Sequence, residues 1–246
     1  MMSRLYLADG PGAGSAPEKE FTMNGELGFI FNSGNTQASS LIASIRAEQE
    51  LEDWSNKYLA NLLYTQNRQQ TDVTKSTQTT AQKVFLSAQM DYKLSEEHDR
   101  LFMYGEYEND KLGVFRYQAA IAAGWTSSLW SDQTSEFKYS IGPGYAISEQ
   151  QLNLDNDESE TDSGLIVRAA LEYKHKFSST ATFTQYLSTE ADQDAAKSKS
   201  ETALTAKING DLAMKLSLTV DHLNGVEDIS DRLDTRTSVS VIYNFF

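Results

Sequence analysis

The sequence of 246 residues contains no cysteine, and this absence removes several kinds of site at once. Without thiols there is no disulfide framework, no cysteine nucleophile and no metal held by cysteine. Only three prolines are present, which leaves little room for proline-rich linkers and suits long extended segments. No run of 18 apolar residues occurs either, so the chain is not a helical membrane protein.

Positive charge is also scarce, since 21 Lys and Arg face 35 Asp and Glu for a formal net charge of −14. A nucleic-acid partner requires a basic surface that neutralises phosphates, so we expect no nucleic-acid binding. Residues 1–19 are rich in Gly, Ala, Pro and charge and predict a disordered leader. They lack the apolar core of a signal peptide, and we expect the sequence to start at a mature form or a misplaced start codon.

From residue 20 onward, apolar side chains recur at every second position. In one segment, Val84, Leu86 and Met90 alternate with polar residues that include Ser87 and Asp91. This period of two is that of a strand with one apolar face, whereas a helix would need a period near 3.6. We place twelve such segments at 20–32, 37–51, 56–66, 81–94, 99–109, 115–127, 134–147, 164–177, 181–190, 200–211, 214–223 and 235–246.

The segments at 56–66 and 181–190 are the least regular, so ten or fourteen strands remain open. No internal domain boundary is visible. The sequence therefore predicts an all-β protein in which residues 20–246 form a single antiparallel transmembrane β-barrel of about 12 strands.

The connections between the segments alternate in length. If both termini lie on the periplasmic side, the odd-numbered connections face the cell exterior. They include the long polar stretches 67–80, 148–163, 191–199 and 224–234. The connections of the other set are mostly short, as in outer-membrane barrels, and aromatic residues gather near both ends of the segments. We expect a monomer in the bacterial outer membrane, in contact with its lipids and with lipopolysaccharide.

Several short motifs carry a resemblance to a known family over nearly the whole of residues 20–246. They are Ser33-Gly34-Asn35-Thr36 followed by Ser39-Ser40-Leu41, Gly142-Pro143-Gly144-Tyr145, Phe183-Thr184-Gln185, Ser200-Glu201-Thr202-Ala203-Leu204 and Asp234-Thr235-Arg236-Thr237. Together they resemble the YdiY-like, salt-induced outer-membrane proteins, a domain family without an assigned function. The resemblance implies a single-chain barrel in a Gram-negative outer membrane and a link to salt or osmotic stress. It brings no catalytic residues.

The C-terminal strand carries an outward row of Val239, Val241, Tyr243 and Phe245, followed by Phe246. The usual closing strand of an outer-membrane barrel stops at an aromatic residue. We therefore expect the barrel-assembly machinery to bind this strand, with Phe246 either weakening recognition or serving as the recognised end.

In a barrel the polar rows of the strands point into the lumen, where function is expected. The register assigns ten acids and eleven bases to these rows, so the lumen should be nearly neutral and the net negative charge should lie in the loops and leader. The proposed pore-lining residues are Arg46, Glu48, Lys83, Asp91, Arg100, Glu106, Arg116, Lys138, Arg168, Glu172, Lys174, Glu201, Lys207 and Arg236. Such rows fit either ion pairs that fill the interior or a narrow water-filled pore.

Other kinds of site have weak support. The acidic stretch 148–163 contains no base and predicts at most weak divalent-cation binding, because Glu160 stands where a calcium loop needs glycine. The three histidines predict no serine–histidine–acid trio, and no catalytic residue, metal site or cofactor is predicted. We interpret Gly142-Pro143-Gly144 as a strand bend or bulge.

These observations favour a narrow passive pore for ions or small solutes, or a structural protein of the envelope. An outer-membrane enzyme acting on lipid or peptide is the alternative from another class. A soluble β-barrel binding module is a third possibility.

Overall fold

A computed structural model describes residues 20–32, 36–70, 75–94, 98–111, 115–153, 158–193, 195–225 and 232–245. The predicted leader at residues 1–19, and Phe246, lie outside this part of the chain. The strands are β1 Glu20–Asn32, β2 Thr36–Glu50, β3 Trp54–Gln70, β4 Lys75–Lys93, β5 Asp99–Asp110, β6 Phe115–Ser131, β7 Ser135–Asn153, β8 Glu158–Lys176, β9 Ala181–Ala191, β10 Ala196–Asn209, β11 Leu212–Asn224 and β12 Arg232–Asn244. Within the described ranges no helix is long and apolar enough to cross a membrane.

The twelve strands form one closed antiparallel barrel in which each strand pairs with its neighbours in sequence. The ring closes where β1 pairs with β12, with Leu27 opposite Val241. Closure leaves no free sheet edge, which satisfies the backbone hydrogen bonds that a membrane interior cannot satisfy. The prediction of a twelve-stranded antiparallel barrel is confirmed. We call the end where β1 begins and β12 ends the inner end of the barrel, and the opposite end the outer end.

The predictions of long outer connections at 67–80 and 148–163 are wrong, because most of the residues in these two stretches are strand. β3 and β4 continue to Gln70 and from Lys75, which leaves only four residues of the stretch 67–80 between them. Glu149 lies in β7, and Glu160 and Asp162 lie in β8, so the acidic stretch 148–163 is mainly a hairpin. The polar side chains of this stretch do not alternate with apolar ones, so the sequence pattern does not indicate strands there. Beyond the membrane neither face of a hairpin has to be apolar.

The two faces of the barrel are inverted relative to a water-soluble protein. Large apolar side chains cover the outside, with Leu165 exposed over 79%, Ile121 over 66% and Met103 over 63% of its surface. Charged and polar side chains are buried inside, where Arg168 is 1% and Asp91 is 3% exposed. An apolar belt of this extent requires an apolar solvent, and lipid supplies it.

Aromatic rings mark the two ends of the apolar belt. Near the inner end, Trp54 and Tyr92 lie 5.1 Å apart between ring centroids, and Trp130 stacks on Phe137 at 4.8 Å. Near the outer end, the Tyr145 hydroxyl donates to Ser163 Oγ at 2.9 Å. Rings with an apolar body and a polar edge are suited to the membrane–water interface.

The strands β6 and β7 approach each other closely at Gly124 and Gly142. A Cβ at either position would overlap the backbone of the facing strand. Ala122 pairs with Gly144 and Trp125 pairs with Ile141, so the register is the same on both sides of this point. Of the predicted strand bend or bulge at Gly142-Pro143-Gly144, the bulge is therefore wrong and the bend stays a prediction. The glycines permit a close backbone approach.

Candidate functional site: the lumen of the barrel

A cavity of about 560 Å³ lies inside the barrel. Its wall includes Asp110 and Phe115 next to the outer end and Glu136 next to the inner end. It is therefore elongated along the barrel axis. A volume of this size accommodates a small organic molecule or a file of hydrated ions.

The structure places nine of the fourteen residues proposed to line a pore on the wall of this cavity. They are Arg46, Glu48, Lys83, Glu106, Lys138, Glu172, Lys174, Glu201 and Arg236. Alternation along each strand was sufficient to find them, because one residue in two must face the lumen.

The other five proposed residues lie outside the wall of the main cavity. Asp91 and Arg100 line a smaller pocket towards the inner end, and Arg168 is buried under other side chains. Lys207 occupies an inward row but is exposed two residues from the end of β10. Arg116 sits where the β6–β7 register shifts, with its side chain 49% exposed and Nη1 3.6 Å from Glu149 Oε1.

The cavity wall also contains charged residues that the sequence reading missed. Lys197 and Lys199 precede the predicted start of this strand at residue 200, whereas β10 begins at Ala196. Lys215 belongs to the inward row that it shares with Ser217, so the alternation of β11 could have found it. Ten acids and nine bases line the cavity, which is therefore nearly neutral.

Two ion pairs join strands on opposite sides of the lumen. Lys57 Nζ of β3 lies 2.6 Å from Glu172 Oε2 of β8. Lys197 Nζ of β10 lies 2.9 Å from Glu106 Oε1 of β5. In a ring of twelve strands each pair spans five positions, so both cross the interior and narrow it.

Arg168 forms a second layer of the interior against β5 and β9. Its guanidinium carbon lies 3.5 Å from the ring centroid of Tyr104, and its Nη2 donates to the Tyr186 hydroxyl at 3.0 Å. Its Nε lies 3.3 Å from Glu190 Oε1, an ion pair without the alignment of a hydrogen bond.

Glu26 lies at the closing seam of the barrel, where β1 pairs with β12, and several polar side chains contact it. Its carboxylate accepts hydrogen bonds from the Lys215 ammonium at 2.7 Å and from the Ser240 hydroxyl. Lys215 also lies 3.6 Å from Glu201. A carboxylate buried at the seam is thus paired and hydrogen-bonded, which such a group requires in a low dielectric.

One wall of the cavity is apolar. Ile42 and Leu63 are direct cross-strand partners on β2 and β3, and Leu59 and Phe85 extend the patch along β3 and β4. On the opposite side, the Lys199 ammonium of β10 lies 5.2 Å from the ring centroid of Phe85. In the middle of the lumen, an apolar surface on β2–β4 therefore faces the charged side chain of Lys199 on β10.

A serine–histidine contact lies outside the lumen, at the inner end. Ser135 Oγ and His175 Nδ1 are 2.8 Å apart on the outward face of β7 and β8. Asp132 is nearby in the β6–β7 turn, but its carboxylate accepts from the N–H groups of Thr134 and Ser135. These hydrogen bonds, with that of the Thr134 hydroxyl, lower the pKa of Asp132.

The sequence reading missed this pair because Ser135 and His175 are 40 residues apart. In the part of the chain that the structure describes, no hydrogen bond joins Asp132 to His175, so the three do not form a catalytic triad. The same part contains no cluster of three or more His, Asp or Glu residues that could hold a metal ion.

A closed barrel with an apolar exterior and a charged interior defines the class, which is that of the outer-membrane β-barrels. Residues 25–245 match the family described as "protein of unknown function, DUF481", and the chain belongs to that family. It is 23% identical over 231 residues to the uncharacterized protein YdiY of Escherichia coli (strain K12), covering 94% of this chain and 85% of YdiY.

Solved structures with similar folds are outer-membrane barrels. The COG4313 outer membrane channel from Pseudomonas putida F1 has a TM-score of 0.55 at 11% identity, covering 95% of this chain and 99% of the channel. The NanC porin has a TM-score of 0.50 at 11% identity over 90% of this chain and 98% of its own. The translocator domain of the autotransporter NalP from Neisseria meningitidis also reaches 0.50, at 9% identity over 91% and 86%. These likenesses establish the fold.

Proposed function

We propose that the protein is a narrow passive pore for ions or small solutes in the bacterial outer membrane. The observation that carries this proposal is the cavity itself, whose wall runs from Asp110 near the outer end to Glu136 near the inner end. The mixed charges of that wall are typical of an aqueous path through a barrel. Two of the similar folds are described as a channel and a porin, which supports the proposal.

The exterior of the barrel supports the proposed location in the outer membrane. Its apolar belt fits lipid, its aromatic ends fit the interfaces, and its closing strand β12 fits recognition by the barrel-assembly machinery. Contact with lipopolysaccharide at the outer end belongs to the same proposal. A role in salt stress rests on the sequence resemblance, and growth of a deletion strain at raised salt tests it.

Single-channel recording in planar lipid bilayers tests the pore. The refolded protein should give reproducible conductance steps in potassium chloride. Because ten acids and nine bases line the cavity, we expect weak selectivity between potassium and chloride, with a reversal potential near zero in a salt gradient. A correctly folded barrel that stays silent at all potentials would overturn the pore and favour the structural role in the envelope.

The enzyme alternative is weaker. The Ser135–His175 pair faces outward at the inner end, and Asp132 is engaged by its own turn. A hydrolase would need an acid that orients the histidine. Release of fatty acid or peptide from labelled substrates by the wild type, and loss of that release in Ser135→Ala, would favour this alternative over the pore.

A further inference from the structure

The middle of the lumen combines an apolar patch with the ammonium group of Lys199. Ile42, Leu63 and Phe85 form the patch on β2–β4. Lys199 reaches Phe85 from β10, which lies six places from β4 around the ring. Among the described residues no carboxylate oxygen lies within 4.0 Å of the Lys199 ammonium.

The neighbouring lysines differ from Lys199 in this respect. Lys197 lies 2.9 Å from Glu106, and Lys83 lies 2.8 Å from Glu108. The barrel therefore pairs these two ammonium groups with its own carboxylates. Lys199 instead meets the face of Phe85, where a cation gains a modest attraction and keeps its hydrogen-bond donors.

We propose that this part of the lumen binds amphipathic organic anions, meaning a single carboxylate attached to an aromatic or branched apolar body. The carboxylate accepts hydrogen bonds from the Lys199 ammonium, and the apolar body covers Ile42, Leu63 and the edge of Phe85. This inference rests on the proposed pore, because it names the class of solute that the lumen selects. The cavity of about 560 Å³ has room for such a solute beside the protein side chains.

Each half of the ligand meets a matching surface. The apolar body removes Ile42 and Leu63 from contact with water, which favours benzoate over acetate. The negative charge satisfies Lys199 without breaking a protein ion pair, which favours benzoate over benzylamine. Inorganic anions can pair with the Lys199 ammonium, but they leave the apolar patch in contact with water.

Calorimetric titration of the full chain in detergent micelles tests the site, with benzoate as the probe and acetate and benzylamine as comparisons. We expect benzoate to bind and the other two to bind roughly tenfold more weakly or not at all. Lys199→Gln should weaken benzoate binding roughly tenfold, and Lys199→Arg should retain most of it. Phe85→Ala should reduce the preference for benzoate over acetate.

Lys207→Gln is the matched control, because Lys207 lies on the same inward row of β10 but outside the cavity wall, and it should leave benzoate binding unchanged. Circular dichroism confirms that each variant is folded. Equal binding of acetate and benzoate, or unchanged binding in folded Lys199→Gln, would overturn the site.

Bilayer recording separates this inference from the pore. If the barrel conducts, benzoate does not reduce the conductance and calorimetry shows no benzoate binding, the anion site is rejected and the proposed pore is retained. Benzoate binding by a barrel that never conducts rejects the pore and shows a binding barrel in its place.

Discussion

Lys57 and Glu172 are 115 positions apart in the sequence, and their side chains meet across the lumen with Nζ 2.6 Å from Oε2. Each comes from the inward row of its strand, and the two strands are five places apart around the ring. The contact couples opposite walls of the barrel. It therefore contributes to the shape of the lumen as well as to its charge.

A double-mutant cycle on this pair should reveal a favourable coupling. We expect Lys57→Met and Glu172→Gln to be less destabilising together than the sum of their separate effects, by about 1 kcal/mol. The coupling is modest because both side chains are about one third exposed to the lumen. Urea unfolding in micelles measures it. Lys207→Met combined with Glu172→Gln should be additive, and equal coupling in the two cycles would contradict a direct contact.

The close approach of β6 and β7 makes Gly142 intolerant of a side chain. Gly142→Ala should destabilise the barrel by about 1–3 kcal/mol, because the added Cβ overlaps the backbone of Ala123. Gly164→Ala is the matched control, since nothing lies within 4 Å of a Cβ at that position. The temperature at which the folded band is lost in gel electrophoresis provides the comparison. Equal losses in the two variants would argue against the close approach.

The β6–β7 turn should be stabilised by Asp132 in a pH-dependent manner. Its pKa is lowered in the folded state, so its stabilising effect is full above the ordinary aspartate pKa and is lost as the pH falls through the folded value. Asp132→Asn should therefore remove part of the fall in stability on acidification. Urea midpoints at neutral and acidic pH measure this change. Parallel pH profiles for the wild type and the variant would contradict a pH-dependent stabilisation of the turn by Asp132.

Because the chain has no cysteine, single cysteine variants can report which face a residue occupies. Lys174→Cys, on the cavity wall, should react with a charged water-soluble thiol reagent. Leu165→Cys, on the outside, should react far more slowly once lipid covers it. Mass spectrometry of protein labelled in liposomes compares the rates. Fast labelling at Leu165→Cys with protection at Lys174→Cys would reverse the assigned faces.

Much of the barrel could be predicted from local alternation. Val84, Leu86 and Met90 are exposed on the outside, and Lys83 lines the cavity, as the two-residue period indicates. The strand ends were less predictable. Residues such as Glu160 lie in strands that extend beyond the apolar belt, where alternation of polarity is no longer required.

In the candidate site, too, some features could be predicted from alternation and others could not. Arg46 and Glu48 were placed in the lumen by alternation, and the structure puts both on the cavity wall. Arg168 occupies its predicted row, yet it is buried under Tyr104 and Tyr186 rather than on that wall. Alternation gives the face of a residue, whereas its depth depends on the sizes of the side chains on neighbouring strands.

The sequence by itself determined the outward and inward rows, a strand count near twelve and the near-neutral lumen, because the alternation that reveals them runs along single strands. The tertiary structure alone decided which inward side chains meet. Lys57 reaches Glu172, Lys197 reaches Glu106 and Lys199 reaches Phe85 because closure of the ring sets opposite strands at one level. The shape of the lumen follows from these long-range contacts.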